Sequence, residues 1–376
     1  MKPIKKIGII TGGGDCSGLN AVISGITKAA TFNYGVDVIG YRRGYLGLYL
    51  NDFIDLNLKS VSGVMHLGGT MLKSSNKDNL FNYRIKNEDG SVEYKDVSDV
   101  ALENMEKEGV DALIVIGGDG TLTSARDFQR KGIPVVGVPK TIDNDLPATD
   151  VSFGFNTALG AIVGALDRIH TTAYSHDRVM VVEVMGRNTG WLALEGGIAG
   201  SADVILIPEI PYDLDIVVEK VKERDARGNN FSIIVVSEGA KPKDGKVHVR
   251  DVVEDSPDAI RLGGIGQVIT DQLSEMIDDH EVRYNNLAYL QRGGTPTQFD
   301  RLLGLRYGVA ALDLLMQGGM GKMVRYRGRD ISHVALEEVV GSGETGETSK
   351  GGEKFVDPEG HTVRTAKSIG ISFGDE

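Results

Sequence analysis

Seven short apolar runs, IGIIT (7–11), VDVIGY (36–41), ALIVIGG (112–118), PVVGVP (134–139), RVMVVEVM (178–185), DVILIP (203–208) and FSIIVVSEG (231–239), are each bounded by glycine, proline or acidic residues. Between them lie segments with helical spacing of apolar residues, clearest at AVISGITKAATF (21–32), SDVALENMEKEG (98–109), NTALGAIVGALDRIH (156–170) and LDIVVEKVKERDA (214–226). Buried strands alternating with amphipathic helices predict an α/β fold whose mostly parallel sheets are covered on both faces. In such sheets ligands gather at the carboxyl ends of the strands. The 50 glycines concentrate at those ends, which suits close approach of backbone to a ligand. Only GSGETGETSKGGE (341–353) reads as a flexible surface loop.

At 376 residues the chain exceeds one ordinary core, so two domains are expected. The N-terminal MKPIKKIGII has only a short apolar run, and nowhere do about 18 apolar residues follow one another. Neither a signal peptide nor a membrane span is expected, and a soluble cytoplasmic protein is. A net charge of −12 argues against nucleic acid or anionic lipid as a partner. An anionic substrate must then be met by local cations. The single cysteine, Cys16, has no companion for a disulfide or a metal site.

Three strand ends carry the chemistry. TGGGDCSGLN (11–20) offers glycine N–H groups and a helix N-terminus to an anion, or is a tight turn capped by Asp15. It fits no dinucleotide fingerprint, and no P-loop pattern occurs in the chain. VIGGDGTLTSA (115–125) sets Asp119 among glycines, as a Mg²⁺ ligand beside phosphates or as an ordinary turn with Thr121 as N-cap. VPKTIDND (138–145) groups Lys140, Thr141, Asp143, Asn144 and Asp145, either a solvated turn or a site for a cation and a proton.

Together with RRGYLGLY (42–49), VVEVMGRNTGW (181–191), PEIPYD (208–213) and AYLQRGGTPTQFDR (288–301), these motifs occur in an order that resembles the 6-phosphofructokinases across residues 4–330. The resemblance implies two similar lobes and Mg²⁺-dependent phosphoryl transfer to the 1-hydroxyl of fructose 6-phosphate. It implies Asp143 as the catalytic base, flanked by Thr141 on the substrate side and Asp145 on the metal side. Asp119 matches the metal acid, and Arg187 a residue near the transferred group. Gly14, Tyr45, Lys77, Gly118, Gly120, Thr121 and Lys140 complete the implied donor contacts with Asp119. Met185, Gly186, Glu238, Tyr289 and Arg292 match the sugar-phosphate side with Arg187. Arg178 and Arg283 match two arginines supplied from a neighbouring subunit, which implies a homodimer or homotetramer.

By the same resemblance, residues 1–154 with 292–330 are expected to bind the phosphoryl donor and 155–291 the sugar phosphate. The site is expected in the cleft between these lobes, and residues 331–376 as a C-terminal extension. The departures are specific. Asn76 stands where many members carry an arginine, leaving Lys73 or Lys77 to supply charge. Ser24, Leu58, His170 and Asn229 stand where allosteric members carry basic residues. Gly120 matches users of ATP, whereas Lys140 is shared with users of pyrophosphate; ATP is the expected donor and pyrophosphate the alternative. A catalytically silent sugar-phosphate-binding subunit is disfavoured by the presence of both Asp119 and Asp143.

Overall fold

In a computed structural model, residues 3–87, 89–243, 245, 249–252, 260–345 and 352–376 are described. The chain divides into two compact units, Met1–Ile142 with Leu146–Asn156 and Arg292–Glu353, and Asp143–Asp145 with Thr157–Gln291 and Lys354–Glu376.

The first unit begins β1 (Lys6–Thr11), α1 (Leu19–Ala29), a π-helical turn, β2 (Asp37–Tyr41), α2 (Tyr45–Leu50) and β3 (Phe53–Leu56). A hairpin, β4 (Tyr83–Lys86) and β5 (Val92–Lys95), leads to α3 (Ser98–Glu108), β6 (Ala112–Gly117), α4 (Asp119–Arg130), β7 (Val135–Thr141) and short β8 (Phe153–Gly154). Helix α5 (Phe155–His176) carries the chain into the second unit. There follow β9 (Val179–Val184), α6 (Trp191–Ala199), β10 (Val204–Leu206), α7 (Leu214–Ala226), β11 (Ser232–Ser237), the pair β12 (Val249–Val252) and β13 (Ile260–Leu262), α8 (Ile265–Met276) and β14 (Val282–Asn286). The chain returns to the first unit with α9 (Gln298–Met316), β15 (Lys322–Arg327), β16 (Asp330–Ala335) and α10 (Leu336–Val340), and ends in the second with α11 (His361–Ser368).

The larger sheet runs β16-β15-β7-β6-β1-β2-β3, with β8 beside β7. Its central pairs are parallel, while β3 and β16 are antiparallel edges. Strand β6 is buried at every position, as its unbroken apolar run requires in a sheet covered on both faces. The smaller sheet, β10-β11-β9-β14, is parallel throughout. Each sheet has its own apolar core, around Ile10, Val115, Phe128 and Met323 in one unit and Val181, Val236, Ile269 and Val282 in the other. Helix ends follow local chemistry. Asp213 caps α7 by accepting from the Asp215 N–H at 3.0 Å, and Thr297 caps α9 through the Asp300 N–H.

Residues 331–376 are not one appendage. Strand β16 and α10 complete the first unit, whereas 354–376 join the second. Of the loop expected over 341–353, residues 346–351 lie outside the described residues. The part before them is held rather than loose: Arg126 donates to the Gly341 carbonyl at 2.8 Å and the Glu344 carbonyl at 3.2 Å, and Arg130 to the Gly343 carbonyl at 2.7 Å. Arg126 is 2% exposed and pairs with equally buried Asp127 at 2.8 Å.

Removing one partner of a buried ion pair strands the other charge away from water. Arg126→Met is therefore expected to lower unfolding stability at neutral pH by about 3 kcal/mol in chemical denaturation. A loss below about 1 kcal/mol, the scale of an exposed pair, would show that the pairing is dispensable.

Candidate active site

In the first unit, β2 follows β1 on one side of the sheet, while β6 and β7 lie on the other. Chain connections thus part between β1 and β6, and a crevice opens outside the strand ends at such a switch point. Two glycine turns occupy it, Gly12–Gly14 after β1 and Gly118 before α4. The Gly12 N–H donates to the Ile116 carbonyl at 3.0 Å. Thr121 fills the space between the turns: a Cβ on Gly12 would lie 2.6 Å from its side chain, and one on Gly117 closer still.

Helix α4 begins at Asp119, with Gly118 as its N-cap, so Thr121 lies inside the helix rather than capping it. The N–H groups of that first turn, with the helix dipole, favour an anion there. Gly120 differs from Gly12 and Gly117 because a Cβ on it would meet nothing within 4 Å. Packing does not require a glycine at that position.

Two cations back the first glycine turn. Lys140, buried at the end of β7, donates from Nζ to the Gly14 carbonyl. Arg292, expected on the sugar-phosphate side, lays its guanidinium against Gly14 and donates to the Asp15 carbonyl at 3.3 Å. Gly14 lacks the Cβ that would block this approach. The 68–79 loop is bonded to the same turn, through the Gly13 N–H to the Ser75 carbonyl at 3.0 Å and the Thr11 hydroxyl to the Lys73 carbonyl at 2.9 Å. Lys73, Asn76 and Lys77 on this loop have exposed side chains.

Tyr45, expected as a donor contact, is a core residue. Its ring is 4% exposed and stacks on Phe128 with centroids 5.6 Å apart, while its hydroxyl donates to the Thr121 carbonyl at 3.0 Å. Burial pushes its phenol well above the ordinary pKa, so it stays a neutral donor. Burial also raises the Cys16 thiol to about 12, and a thiol held neutral in this way is no nucleophile.

In the second unit the ends of β9 and β11 interlock. The Ser237 hydroxyl donates to the Gly186 carbonyl at 2.6 Å, the Glu238 N–H to the Val184 carbonyl at 2.9 Å, and the Gly239 N–H to the Gly186 carbonyl at 3.1 Å. The Met185 N–H donates to Gln291 Oε1 at 3.2 Å. Met185, Gly186, Arg187 and Glu238 therefore share one edge of the smaller sheet. Tyr289, 78% exposed, lies on the short 3₁₀ turn Ala288–Gln291 that follows β14. Asp143–Asp145 belong to this unit, with Asn144 buried in the left-handed region at φ 52°. The Thr189 hydroxyl lies 3.5 Å from the Asp143 carbonyl. Thr141 ends β7 in the first unit, one residue removed along the chain.

Arg178 and Arg283 lie at the other edge of that sheet. Arg178 precedes β9, and Arg283 pairs in register with Met180. Both guanidinium groups engage Glu281, Arg178 at 2.5 Å, and the hydrogen bond from Arg178 holds the Glu281 carboxyl below its usual range. At about 3.3 Å per strand residue, Arg178 and Met185 are about 23 Å apart.

Glu183 was not singled out from the sequence, yet it organises this unit. Buried in β9, it accepts from the Gly264 and Gly266 N–H groups at 2.9 and 2.8 Å, the Tyr284 hydroxyl at 2.9 Å and Asn286 at 3.2 Å. The available signal was an acid inside the apolar run VVEVM, because a buried carboxylate demands partners.

Among the described residues, no three His, Cys, Asp or Glu side chains form a metal cage. Mg²⁺ in phosphoryl-transfer sites needs none, being bound through one or two carboxylates and the substrate's phosphates. Asp119, beside open Gly120 at a helix N-terminus, suits that mode. No helix among the described residues is long and apolar enough to cross a membrane.

Comparison with known proteins agrees with this arrangement. The family described as Phosphofructokinase matches residues 6–315. An ATP-dependent 6-phosphofructokinase 2 of Clostridium perfringens is 60% identical over 375 residues, 100% of both chains. A pyrophosphate–fructose 6-phosphate 1-phosphotransferase of Streptomyces coelicolor is 46% identical, covering 89% of this chain and 94% of its own. The crystal structure of Pichia pastoris phosphofructokinase in the T-state superimposes with a TM-score of 0.76 at 30% identity, covering 90% of this chain and 36% of that one. With glycine turns at the strand ends where the sequence motifs placed them, and a match across most of its length, the chain belongs to the phosphofructokinase family.

Proposed function

We propose that the protein is an ATP-dependent 6-phosphofructokinase, transferring the γ-phosphoryl group of ATP to the 1-hydroxyl of fructose 6-phosphate. The structural observation that carries the phosphoryl-transfer reading is the pair of glycine turns at the switch point of the larger sheet, backed by Lys140 and opened by the N-terminus of α4. Full-length identity of 60% to an ATP-dependent 6-phosphofructokinase supplies the substrates. Phosphoryl transfer asks a protein mainly for positioning and charge neutralisation. Gly14, whose neighbours Gly12 and Gly13 already donate to Ile116 and Ser75, and the α4 N-terminus receive donor phosphates. Lys140 holds the Gly14 carbonyl and adds positive charge behind the turn. Asp119 would hold Mg²⁺, which would supply neutralisation of the donor's phosphate charge.

On the sugar side, Asp143 takes the proton of the attacking hydroxyl, Thr141 stands beside it, and Arg187 faces the transferred group. Met185, Gly186 and Glu238 seat the sugar, and Tyr289 stands at the same edge. Lys77 supplies charge from the loop that carries Asn76. Arg178 and Arg283 lie toward the opposite end of the sheet from Arg187: Arg178 is about 23 Å from Met185 along the strand, and Arg283, in register with Met180, about 17 Å. They act on a partner's substrate in a homo-oligomer, where their planar forks suit phosphate oxygens.

The donor reading rests on Gly120. Glycine leaves open space that the fold does not fill, and an aspartate there would put a carboxylate where the nucleotide's inner phosphates approach. Lys140 is compatible with either donor. A relative 46% identical and named for pyrophosphate keeps that alternative in view.

Asp143→Asn preserves shape and loses the proton acceptor, so turnover in a coupled assay for fructose 1,6-bisphosphate should fall about 10²-fold or more with little change in KM for fructose 6-phosphate. Retention of a tenth of the wild-type rate would remove Asp143 from the role of base. Since position 120 is open, Gly120→Asp should fold normally and suppress use of ATP relative to pyrophosphate. Unaltered ATP turnover would refute control of the donor by this residue. For the arginines, mixing dissociated Asp143→Asn and Arg283→Ala subunits should restore activity that neither has alone, because hybrid interfaces hold one intact site. Failure of the mixture to exceed its parents would place Arg283 in its own subunit's chemistry or outside it.

A further inference from the structure

The last part of the chain is fastened to the second unit at both ends. At the far end it extends the edge of the smaller sheet: the Ile205 N–H donates to the Ser372 carbonyl at 2.9 Å, the Ser372 N–H to the Asp203 carbonyl at 3.1 Å, and the Asp213 N–H to the Gly374 carbonyl at 2.7 Å. Phe373, Val363 and Ala366 are buried there. The near end reaches the segment that carries the proposed base. The Lys354 N–H donates to the Asp145 carbonyl at 2.8 Å, and the Trp191 indole N–H donates to the Lys354 carbonyl at 2.6 Å. The Lys354 ammonium stands over the same indole, 5.6 Å from its centroid. Two residues on, the Val356 N–H donates to Glu209 at 2.9 Å, and this carboxylate also accepts from the Gly190 N–H at 3.0 Å.

We infer that residues 354–356 form a strap that positions the catalytic segment, joining Asp143–Asp145 to the Arg187–Trp191 turn through Lys354, Trp191 and Glu209. This inference rests on the functional reading above for the importance of Asp143 and Arg187; the contacts themselves do not. Its physical logic is that the strap bonds to both segments at once, to the Asp145 carbonyl through the Lys354 N–H and to the Gly190 turn through Trp191 and Glu209. Asn144 is left-handed, a conformation outside regular structure that its surroundings must hold in place. The strap supplies a backbone donor to the carbonyl immediately after it. Glu209 links the strap to the turn that begins three residues after Arg187, and its carboxyl, raised by burial, is held as an acceptor by those N–H donors. None of the three side chains is assigned contact with substrate. They are positioning residues, and an error of about 1 Å in such placement costs up to about 10²-fold in rate.

Trp191 is the only tryptophan in the chain, so its emission reports the docked strap without any assay of activity. In the full-length protein, Glu209→Ala leaves the Gly190 and Val356 N–H groups without their acceptor. It is expected to make Trp191 more accessible to acrylamide and to lower kcat roughly ten- to a hundredfold, with KM for fructose 6-phosphate little changed. Glu209→Gln keeps an acceptor oxygen and should restore both the quenching and most of kcat. Should Glu209→Ala not fold, Lys354→Pro removes the amide donor to Asp145 and is read in the same two ways. An exposed Trp191 with unchanged kcat would overturn the inference, as would a fall in kcat with Trp191 unaltered, or a glutamine variant no better than alanine. Wild-type protein inactive with both ATP and pyrophosphate would refute the functional reading alone; unchanged Trp191 quenching in Glu209→Ala would overturn the strap whatever the assay gives.

Discussion

The parallel pairing of β1 with β6 is the constraint from which the paired glycine turns of the larger sheet follow. Register sets Thr11 beside Ile116, so both chains leave the sheet at the same level and on the same edge. Two turns this close leave no volume for side chains, and Thr121 takes what remains between Gly12 and Gly117. Gly12 and Gly13 donate their N–H groups to Ile116 and Ser75, which fixes the turn, and α4 brings its positive end beside it. Lys140 follows because β7 pairs next to β6, ending where its ammonium reaches the Gly14 carbonyl.

The second unit solves a different problem, how to fix the strand ends of a four-stranded sheet. Its answer is polar. Ser237, Gly186 and Gly239 lock two strand ends together, and buried Glu183 gathers four donors from the segments beside it. A buried carboxylate is tolerable only when so satisfied. The same sheet sets its cations at opposite ends, with Arg187 after the carboxyl end of β9 and Arg178 before its amino end.

Glycines in this chain carry two kinds of information that sequence cannot distinguish. Gly12 and Gly117 are demanded by packing against Thr121, whereas Gly120 is not demanded by packing at all. That difference gives the argument about the donor its force, because a glycine the fold can spare is one a ligand has reason to keep.

Much of the protein was legible in its residues. The apolar runs became β1, β2, β6, β7, β9, β10 and β11, because a strand buried on both faces has little choice but continuous hydrophobicity. Strand ends rich in glycine and acid stood out because close-packed turns such as Gly12 and Gly117 against Thr121 admit no side chain. Sequence missed the edges, β3 and β16, where half-exposed strands read like loops, and it missed Glu183, whose four partners are distant along the chain. It set Tyr45 among the ligand contacts when stacking on Phe128 holds it in the core. It also read residues 331–376 as one extension, whereas hydrogen bonds divide them between two units and bring Lys354 to Asp145. Local pattern determined which segments are strands, where the glycine turns lie, and the family; long-range packing alone decided which side chains those turns keep and which the core takes.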